Sequence, residues 1–128
     1  MQRVPRTRAG GRWTESRFFG FIRSALRSAA MRYPPKFDAL AAAKRTKPQG
    51  KPGKHRFEYQ CAYCLDWFEM KDVAVDHIVP AGSLKSFNDI ASFAERLYCE
   101  PDGLQVLCKS PCHQRKTNAE RKAAKESK

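Results

Sequence analysis

The chain has 128 residues, of which 41% are hydrophobic and 30% charged, and its formal net charge is +12. This length fits one modest domain, or a small domain with an arm, and no run of 18 apolar residues marks a membrane span. The arginine-rich start lacks the apolar region of a secretory signal, so we expect a cytoplasmic protein. In that reducing compartment, paired cysteines serve metal ions more often than disulfides.

The charge is segregated along the sequence. Residues 1–56 carry +13, residues 57–107 carry −6 and residues 108–128 carry +5. Two basic segments therefore flank an acidic centre, which favours a polyanionic partner and a cation site among the central carboxylates. The alternative is ordinary solubility, but signs that segregate instead of mixing favour the polyanion.

The N-terminal part is predicted to be a basic helical arm. Met1–Arg12 is rich in Arg, Gly and Pro without apolar periodicity, so we expect it to be disordered when free. Thr14 is placed to cap a helix that the double proline at 34–35 ends. The apolar residues of this helix recur at spacings of three and four: Phe18, Ile22, Ala25, Leu26, Ala29 and Tyr33. Arg23 and Arg27 lie opposite this stripe; they could be a solvated face, but the excess of arginine favours a grip on DNA.

A second short helix is expected from about Pro35 to Lys44, with Phe37, Leu40 and Ala41 on its buried side. The segment Lys44–Lys54 then has the composition of an exposed basic linker. We therefore predict a helical arm and linker over residues 1–54 and a second domain over residues 55–128.

The second domain is predicted to alternate short strands with two helices. The expected strands are Arg56–Gln60, Trp67–Met70, Asp72–Val79 and Leu104–Cys108. A short helix, Ser86–Leu97, is inserted between the last two, with Phe87 and Phe93 as core residues. Ser110 fits as an N-cap with Pro111 at the first helical position, opening a basic helix to about Lys125.

Two cysteine pairs predict a zinc site. Zinc binds four soft ligands in a tetrahedron, and proteins usually supply them as two local pairs from distant segments. Cys61 and Cys64 form one pair, and Cys108 and Cys112 form the other. The alternatives are buried free thiols or a redox pair. Cys99 is left over and fits as a small core residue.

With these pairs, three further stretches make the sequence resemble the HNH endonucleases, a branch of the ββα-metal nucleases. They are Asp76-His77-Ile78-Val79-Pro80, Leu104-Gln-Val-Leu-Cys108 and Cys112-His113-Gln-Arg-Lys-Thr117. The resemblance covers about Tyr59 to Arg121, and the arginine-rich helix with its double proline looks like the leader of some phage-encoded members. It implies an α+β fold: a small zinc-stabilised ββα-metal core with a short inserted helix, preceded by a basic N-terminal helical arm.

The resemblance also implies roles for single residues. Asp76 and His113 would hold one catalytic divalent ion, Mg²⁺ or a transition metal, and His77 would be the general base for in-line attack of water on a phosphodiester. A neutral imidazole can take a proton at cellular pH, and an ion with open positions can stabilise the leaving oxygen. Adjacent residues in a helical turn project about 100° apart, so Cys112 can face zinc while His113 faces the second ion. The expected partner is DNA, contacted through Arg17, Arg23, Arg27, Arg115 and Lys116. The oligomeric state stays open, with a monomer favoured.

The nuclease interpretation meets one geometric condition and one departure from the family pattern. On a regular strand Asp76 and His77 point to opposite faces, so both can address one phosphate only if the strand ends or bulges there. The family Asn that braces the loop behind the catalytic histidine is replaced by Gly103; Asn88 is a possible substitute, and Asn118 a weaker one.

Each candidate residue also has an ordinary structural role open to it. Asp76 could cap a turn, His77 could be a half-buried strand residue, and His113 could replace a cysteine on zinc. Two functions therefore remain: a metal-dependent DNA endonuclease, or a non-catalytic zinc-stabilised nucleic-acid-binding module.

Overall fold

The computed structural model describes residues 3–53 and 55–126 and has mixed α+β architecture over these ranges. The helices are α1 (Glu15–Ala30), α2 (Pro34–Ala43), α3 (Ile90–Leu97) and α4 (Gln114–Glu126). The strands are β1 (Lys44–Thr46), β2 (Phe57–Gln60), β3 (Trp67–Phe68), β4 (Val73–His77) and β5 (Leu104–Cys108). Among the described residues, every helix is too short or too polar to cross a bilayer.

The chain forms two compact units, each built from two segments. One unit comprises Met1–Tyr33 and Val79–Cys99, and the other comprises Pro34–Ile78 and Glu100–Lys128. This grouping differs from the predicted boundary after residue 54. The reason is packing: α2 and β1 join the strands that follow them, whereas the segment around α3 packs with α1.

In the first unit, α1 and α3 enclose a small apolar core. Thr14 caps α1 as predicted, with its Oγ1 accepting a hydrogen bond from the Arg17 N–H at 3.2 Å. The buried residues are Phe19, Ala81, Leu84, Phe93 and Leu97, with Phe18, Ile22, Leu26 and Ala30 of α1 packed against them. The stripe is thus centred on Phe19, and Ala25, predicted to lie on it, is exposed. Phe93 is a core residue as expected, but Phe87 is largely exposed.

The start of the first unit is an ordered turn instead of a disordered arm. Arg8 and Trp13 pair across it through an Arg8 N–H to Trp13 O bond of 3.1 Å. The Arg8 guanidinium pairs with Glu15 at 3.0 Å and lies 4.9–5.6 Å from the ring centroids of Phe18, Phe19 and Phe87. Cation–π contact and an ion pair hold this turn, so the prediction of disorder over Met1–Arg12 is wrong from Arg8 onward; Met1 and Gln2 lie outside the described residues.

In the second unit, α2 packs against two antiparallel sheets. The sheet orders are β1-β2-β3 and β4-β5. The core consists of Leu40, Tyr59, Val73 and Val106, with Ala43, Phe68 and Val75 packed against it. Because α2 meets the strands through Leu40 and Ala43, Phe37 is 51% exposed and Ala41 is exposed, contrary to the predicted buried side.

Part of the predicted basic linker is the edge strand β1. Lys44 pairs with Tyr59, and Arg45 with the buried Glu58 of β2. The Glu58 carboxylate accepts a hydrogen bond from Arg45 Nε at 2.8 Å and binds the Lys51 ammonium. Burial raises the pKa of Glu58, but these two cations outweigh it and lower the pKa below its usual range. Lysine and arginine in this segment therefore satisfy a buried carboxylate instead of remaining in solvent.

We predict that Leu40→Ala destabilises the protein and that Phe37→Ala, on the same helix, does not. Removing a buried leucine costs about 2–5 kcal/mol, whereas truncating an exposed side chain costs within about 0.5 kcal/mol. Urea denaturation of the zinc-loaded variants measures both free energies of unfolding. Equal losses would contradict the placement of α2.

Candidate metal centre and the adjoining carboxylate

The first cysteine pair lies on a tight turn between β2 and β3. The Cys61 N–H donates to Asp66 O at 2.9 Å, and the Leu65 N–H donates to Cys61 O at 3.0 Å. Leu65 closes the turn with φ at +65°, a left-handed conformation that side chains seldom adopt. The Ala62 N–H donates to Val106 O at 2.8 Å, which docks this turn beside β5.

The second pair lies where β5 passes into α4. Cys108 is the last residue of β5, and Cys112 is in the turn Lys109–His113. Ser110 in this turn is extended, with φ −139° and ψ 128°. Ser110 is the only residue of this turn with non-helical dihedrals, and its extended backbone is the conformation of an N-cap, as predicted. Pro111, Cys112 and His113 follow it as a helical turn that leads into α4 at Gln114.

The four sulfur atoms converge as the spacing predicted. Sγ of Cys61, Cys64, Cys108 and Cys112 all lie within 4.8 Å of one another. In a zinc tetrahedron with bonds of about 2.3 Å, sulfurs are about 3.8 Å apart, so shifts of about 1 Å would close the cluster on an ion. Three of the cysteines are buried and Cys64 is exposed. This cluster could hold a metal ion and is compatible with structural zinc; Cys99 lies outside it.

The electrostatics of the cluster favour a cation. Burial raises the pKa of the Cys61 thiol, but backbone N–H groups of Cys64, Cys108 and Tyr63 lower it to about 6. Burial and the neighbouring sulfurs of Cys108, Cys61 and Cys64 raise the pKa of Cys112 to about 12. One thiolate therefore forms readily, while a second next to it is opposed by like charge. A divalent cation removes that opposition.

A second polar cluster surrounds Asp76 on β4. In the antiparallel register Asp76 faces Gln105 of β5. Gln105 Nε2 donates to Asp76 Oδ2 at 3.1 Å, and Lys116 Nζ lies 3.0 Å from the same oxygen. Asp76 Oδ1 lies 3.7 Å from His113 Nε2, and the Asp76 side chain is 11% exposed.

The Asp76–His113 pair brings one carboxylate oxygen and one imidazole nitrogen close together, as in an ion pair, and both are atom types that divalent cations bind. Ligand atoms about 2.1 Å from an ion are about 3.0 Å apart at right angles and about 3.4 Å apart in a tetrahedron. The observed 3.7 Å needs a small closure to reach either geometry. Carboxylate oxygen and imidazole nitrogen suit Mg²⁺, Mn²⁺ or Zn²⁺. Two protein ligands leave further positions for water or a phosphate oxygen.

His77 is the last residue of β4, and its pairing with Leu104 is in regular register. Alternation therefore places Asp76 on the face of Ala74, and His77 on the face of Val75. The Ile78 N–H donates to Gly103 O at 3.0 Å. Gly103, which stands where the HNH endonucleases have an Asn, therefore contacts the residue after β4 through its backbone carbonyl. His77 is half-buried and is the last residue of β4, and the strand has no bulge at Asp76 or His77, so the two side chains keep the opposite faces expected of a regular strand.

Lys116 of α4 has a position that the sequence did not predict. Its ammonium donates to His77 O at 3.0 Å, lies 3.0 Å from Asp76 Oδ2 and binds the Glu120 carboxylate. Burial lowers the pKa of Lys116, but bonds to Glu120 and Asp76 raise it above its usual range. Lys116 was predicted to contact DNA, but in the structure its ammonium is engaged by groups of the protein itself. The spacing of four between Lys116 and Glu120 was the available signal.

The remaining candidates lie on surfaces of the two units. Arg17, Arg23 and Arg27 are exposed on α1; Arg17 stacks on Trp13 at 5.0 Å and Arg27 on Phe93 at 5.6 Å. Arg115 and Asn118 are exposed on α4. Asn88 belongs to the first unit, and its role as a substitute stays a prediction.

A scan against protein-family models and searches of the curated proteins and of the solved structures found no match to this chain. The residues themselves define the class of site: a four-cysteine centre able to hold a metal ion.

We predict that Cys108→Ser abolishes stoichiometric zinc binding and loosens the second unit, because a structural zinc site contributes directly to folding. Cys99→Ser, the matched control outside the cluster, should retain one zinc per chain. Elemental analysis of purified variants and urea denaturation measure the two effects. Full zinc occupancy in Cys108→Ser would refute the site.

Zinc should also be released as the pH falls toward 6 and below, since protons then compete for the thiolates.

Proposed function

We propose that the chain is a metal-dependent endonuclease that hydrolyses phosphodiester bonds of DNA, of the HNH type that its sequence resembles. One observation carries the proposal: Asp76 Oδ1 and His113 Nε2 are 3.7 Å apart and His113 directly follows a cysteine of the candidate zinc cluster. A carboxylate and an imidazole at this spacing suit a divalent ion that also binds phosphate.

The order of elements supports the same proposal. β4 and β5 form an antiparallel pair and α4 follows β5, which is the strand–strand–helix order expected of a ββα-metal nuclease. Asp76 comes from the first strand, and His113 from the turn before the helix. Cys112 is one of the four clustered cysteines, whereas the adjacent His113 contacts Asp76, so the two neighbours could address different ions.

In the proposed mechanism, each residue has one task. Asp76 and His113 would hold a divalent ion, Mg²⁺ or a transition metal, which when bound would supply Lewis-acid stabilisation of the leaving oxygen. A ring nitrogen of His77 would accept a proton from the attacking water, whose oxygen bonds to phosphorus as the P–O bond to the leaving oxygen breaks. Gln105 orients the Asp76 carboxylate through Oδ2. His77 is the last residue of β4, so we place the scissile phosphate at this end of the strand.

The flanking charge supports DNA as the substrate. Residues 1–56 carry +13 and residues 108–128 carry +5, and polyanion binding gains from release of counterions. We place Arg17, Arg23 and Arg27 of α1 and Arg115 of α4 among the phosphate contacts. The thiol cluster requires a reducing compartment, so we place the protein in the cytoplasm.

The non-catalytic alternative has one observation in its favour. The Lys116 ammonium already neutralises Asp76, as in a purely structural ion pair. A zinc-stabilised nucleic-acid-binding module would use the same basic segments without any chemistry. Measurement of DNA cleavage separates the two functions.

We predict that the protein nicks supercoiled plasmid in Mg²⁺ or Mn²⁺ and that His77→Ala lowers the nicking rate by about 100-fold or more, because general-base catalysis contributes about 10²–10⁴-fold. His55→Ala is the matched control, since this exposed histidine belongs to neither cluster. DNA affinity should be unchanged in both variants. Binding without nicking by the wild type in every divalent metal would select the non-catalytic module.

A second prediction concerns the arm. Arg23→Ala/Arg27→Ala should weaken binding similarly on unrelated DNA sequences, and should flatten the salt dependence of log K by about 2, close to 0.9 per phosphate contact. The charge-preserving variant Arg23→Lys/Arg27→Lys should keep most of the affinity. Fluorescence anisotropy over a salt series measures both. Unchanged affinity in the alanine variant would refute the role assigned to α1.

A further inference from the structure

Lys116 is the most constrained cation of the second cluster. Its side chain is 12% exposed, although lysine normally keeps its ammonium in water. The ammonium contacts three oxygens, those of Asp76, Glu120 and the His77 backbone. An ammonium has three donors, so this set satisfies all of them.

These contacts join two structural elements at the candidate site. Asp76 and His77 are the last residues of β4, whereas Lys116 and Glu120 lie on α4. A hydrogen bond to the His77 carbonyl fixes the backbone that carries the imidazole. The contact with Asp76 Oδ2 leaves Oδ1 as the oxygen that faces His113 Nε2. Lys116 thus contacts both neighbouring residues, and it shares Asp76 Oδ2 with Gln105.

The charges around Lys116 are nearly balanced. Asp76 and Glu120 contribute two negative charges and Lys116 one positive charge, which leaves −1 when His113 is neutral. A divalent cation would bring this cluster to +1, opposite in sign to a phosphodiester. Without Lys116 the carboxylates would attract the cation more strongly, but the loaded site would be neutral and would attract phosphate less.

We propose that Lys116 is a positioning residue of the site. It holds the His77 backbone and restricts Asp76 to offering one carboxylate oxygen to a divalent ion, at the expense of affinity for that ion. The ion-binding part rests on the candidate cation pair alone, and the effect on cleavage rests on the proposed nuclease function. Replacing Lys116 should therefore strengthen binding of the ion and slow cleavage of DNA.

The first test measures binding of Mn²⁺, as a probe ion, to zinc-loaded protein without DNA by electron paramagnetic resonance. Lys116→Met keeps the length of the side chain and removes a like charge close to the ion, so Mn²⁺ should bind about tenfold more tightly. Asp76→Asn gives the background from other sites. Lys122→Met, an exposed lysine of the same helix, controls for the net charge and should match the wild type. Lys116→Arg keeps the charge and should return Mn²⁺ affinity toward the wild type.

The second test measures nicking kinetics over a Mn²⁺ series. In Lys116→Met the apparent KM for Mn²⁺ should fall, while kcat falls roughly 100-fold, since small misplacements of catalytic groups cost about that much. In Lys116→Arg kcat should stay low, because a planar guanidinium cannot meet the same three oxygens. A merely structural role would weaken ion binding and slow turnover together.

The outcomes separate this proposal from the nuclease function. Unchanged or weaker Mn²⁺ binding in folded Lys116→Met overturns the proposal, as does nicking equal to that of Lys122→Met. If the wild type does not nick DNA, the nuclease function fails and the Mn²⁺ measurement alone decides the role of Lys116. If neither the wild type nor Lys116→Met binds Mn²⁺ above the Asp76→Asn background, the proposal is wrong.

Discussion

The convergence of four thiols is the constraint on which the second unit depends. Its apolar core is small, with Leu40, Tyr59, Val73 and Val106 as the buried members of the main cluster. A domain of this size gains little from burial alone. The cysteines connect the turn after β2 to β5 and to the turn before α4. Repulsion between like charges opposes ionisation of the clustered thiols. A bound cation would neutralise the thiolates and would then cross-link these three segments of the chain.

The carboxylate cluster is connected to the cysteine cluster through neighbouring residues of the chain. Cys112 and His113 are adjacent, so fixing one sulfur fixes the backbone that carries the imidazole. Cys108 ends the strand whose Gln105 holds Asp76 Oδ2. Both strand register and the cysteine turn therefore direct side chains toward Asp76. Asp76 and His113 lie far apart in sequence, and the fold brings Asp76 Oδ1 within 3.7 Å of His113 Nε2.

Local sequence patterns predicted the features that depend on local chemistry. The cysteine spacing located the thiol cluster, β5 has the predicted bounds, and β4 lies within its predicted range. Features that depend on distant partners were missed. The turn at Arg8 is held by rings 10 or more residues away, and β1 exists because β2 pairs with it. Lys116 looks like any basic helical residue until the fold brings Asp76 and His77 beside it.

The basic segments and the acidic centre suit two different binding partners. Long-range attraction of a polyanion depends on net charge, whereas binding of a divalent ion depends on a few carboxylates at short range. Burying one lysine between Asp76 and Glu120 reconciles the two requirements, because it limits the negative potential that an approaching phosphate would meet. The same ammonium reaches the His77 carbonyl, so it couples this electrostatic balance to the geometry of the strand end. In the proposed nuclease, Lys116 therefore contributes both to the charge of the site and, together with Gln105, to the position of Asp76.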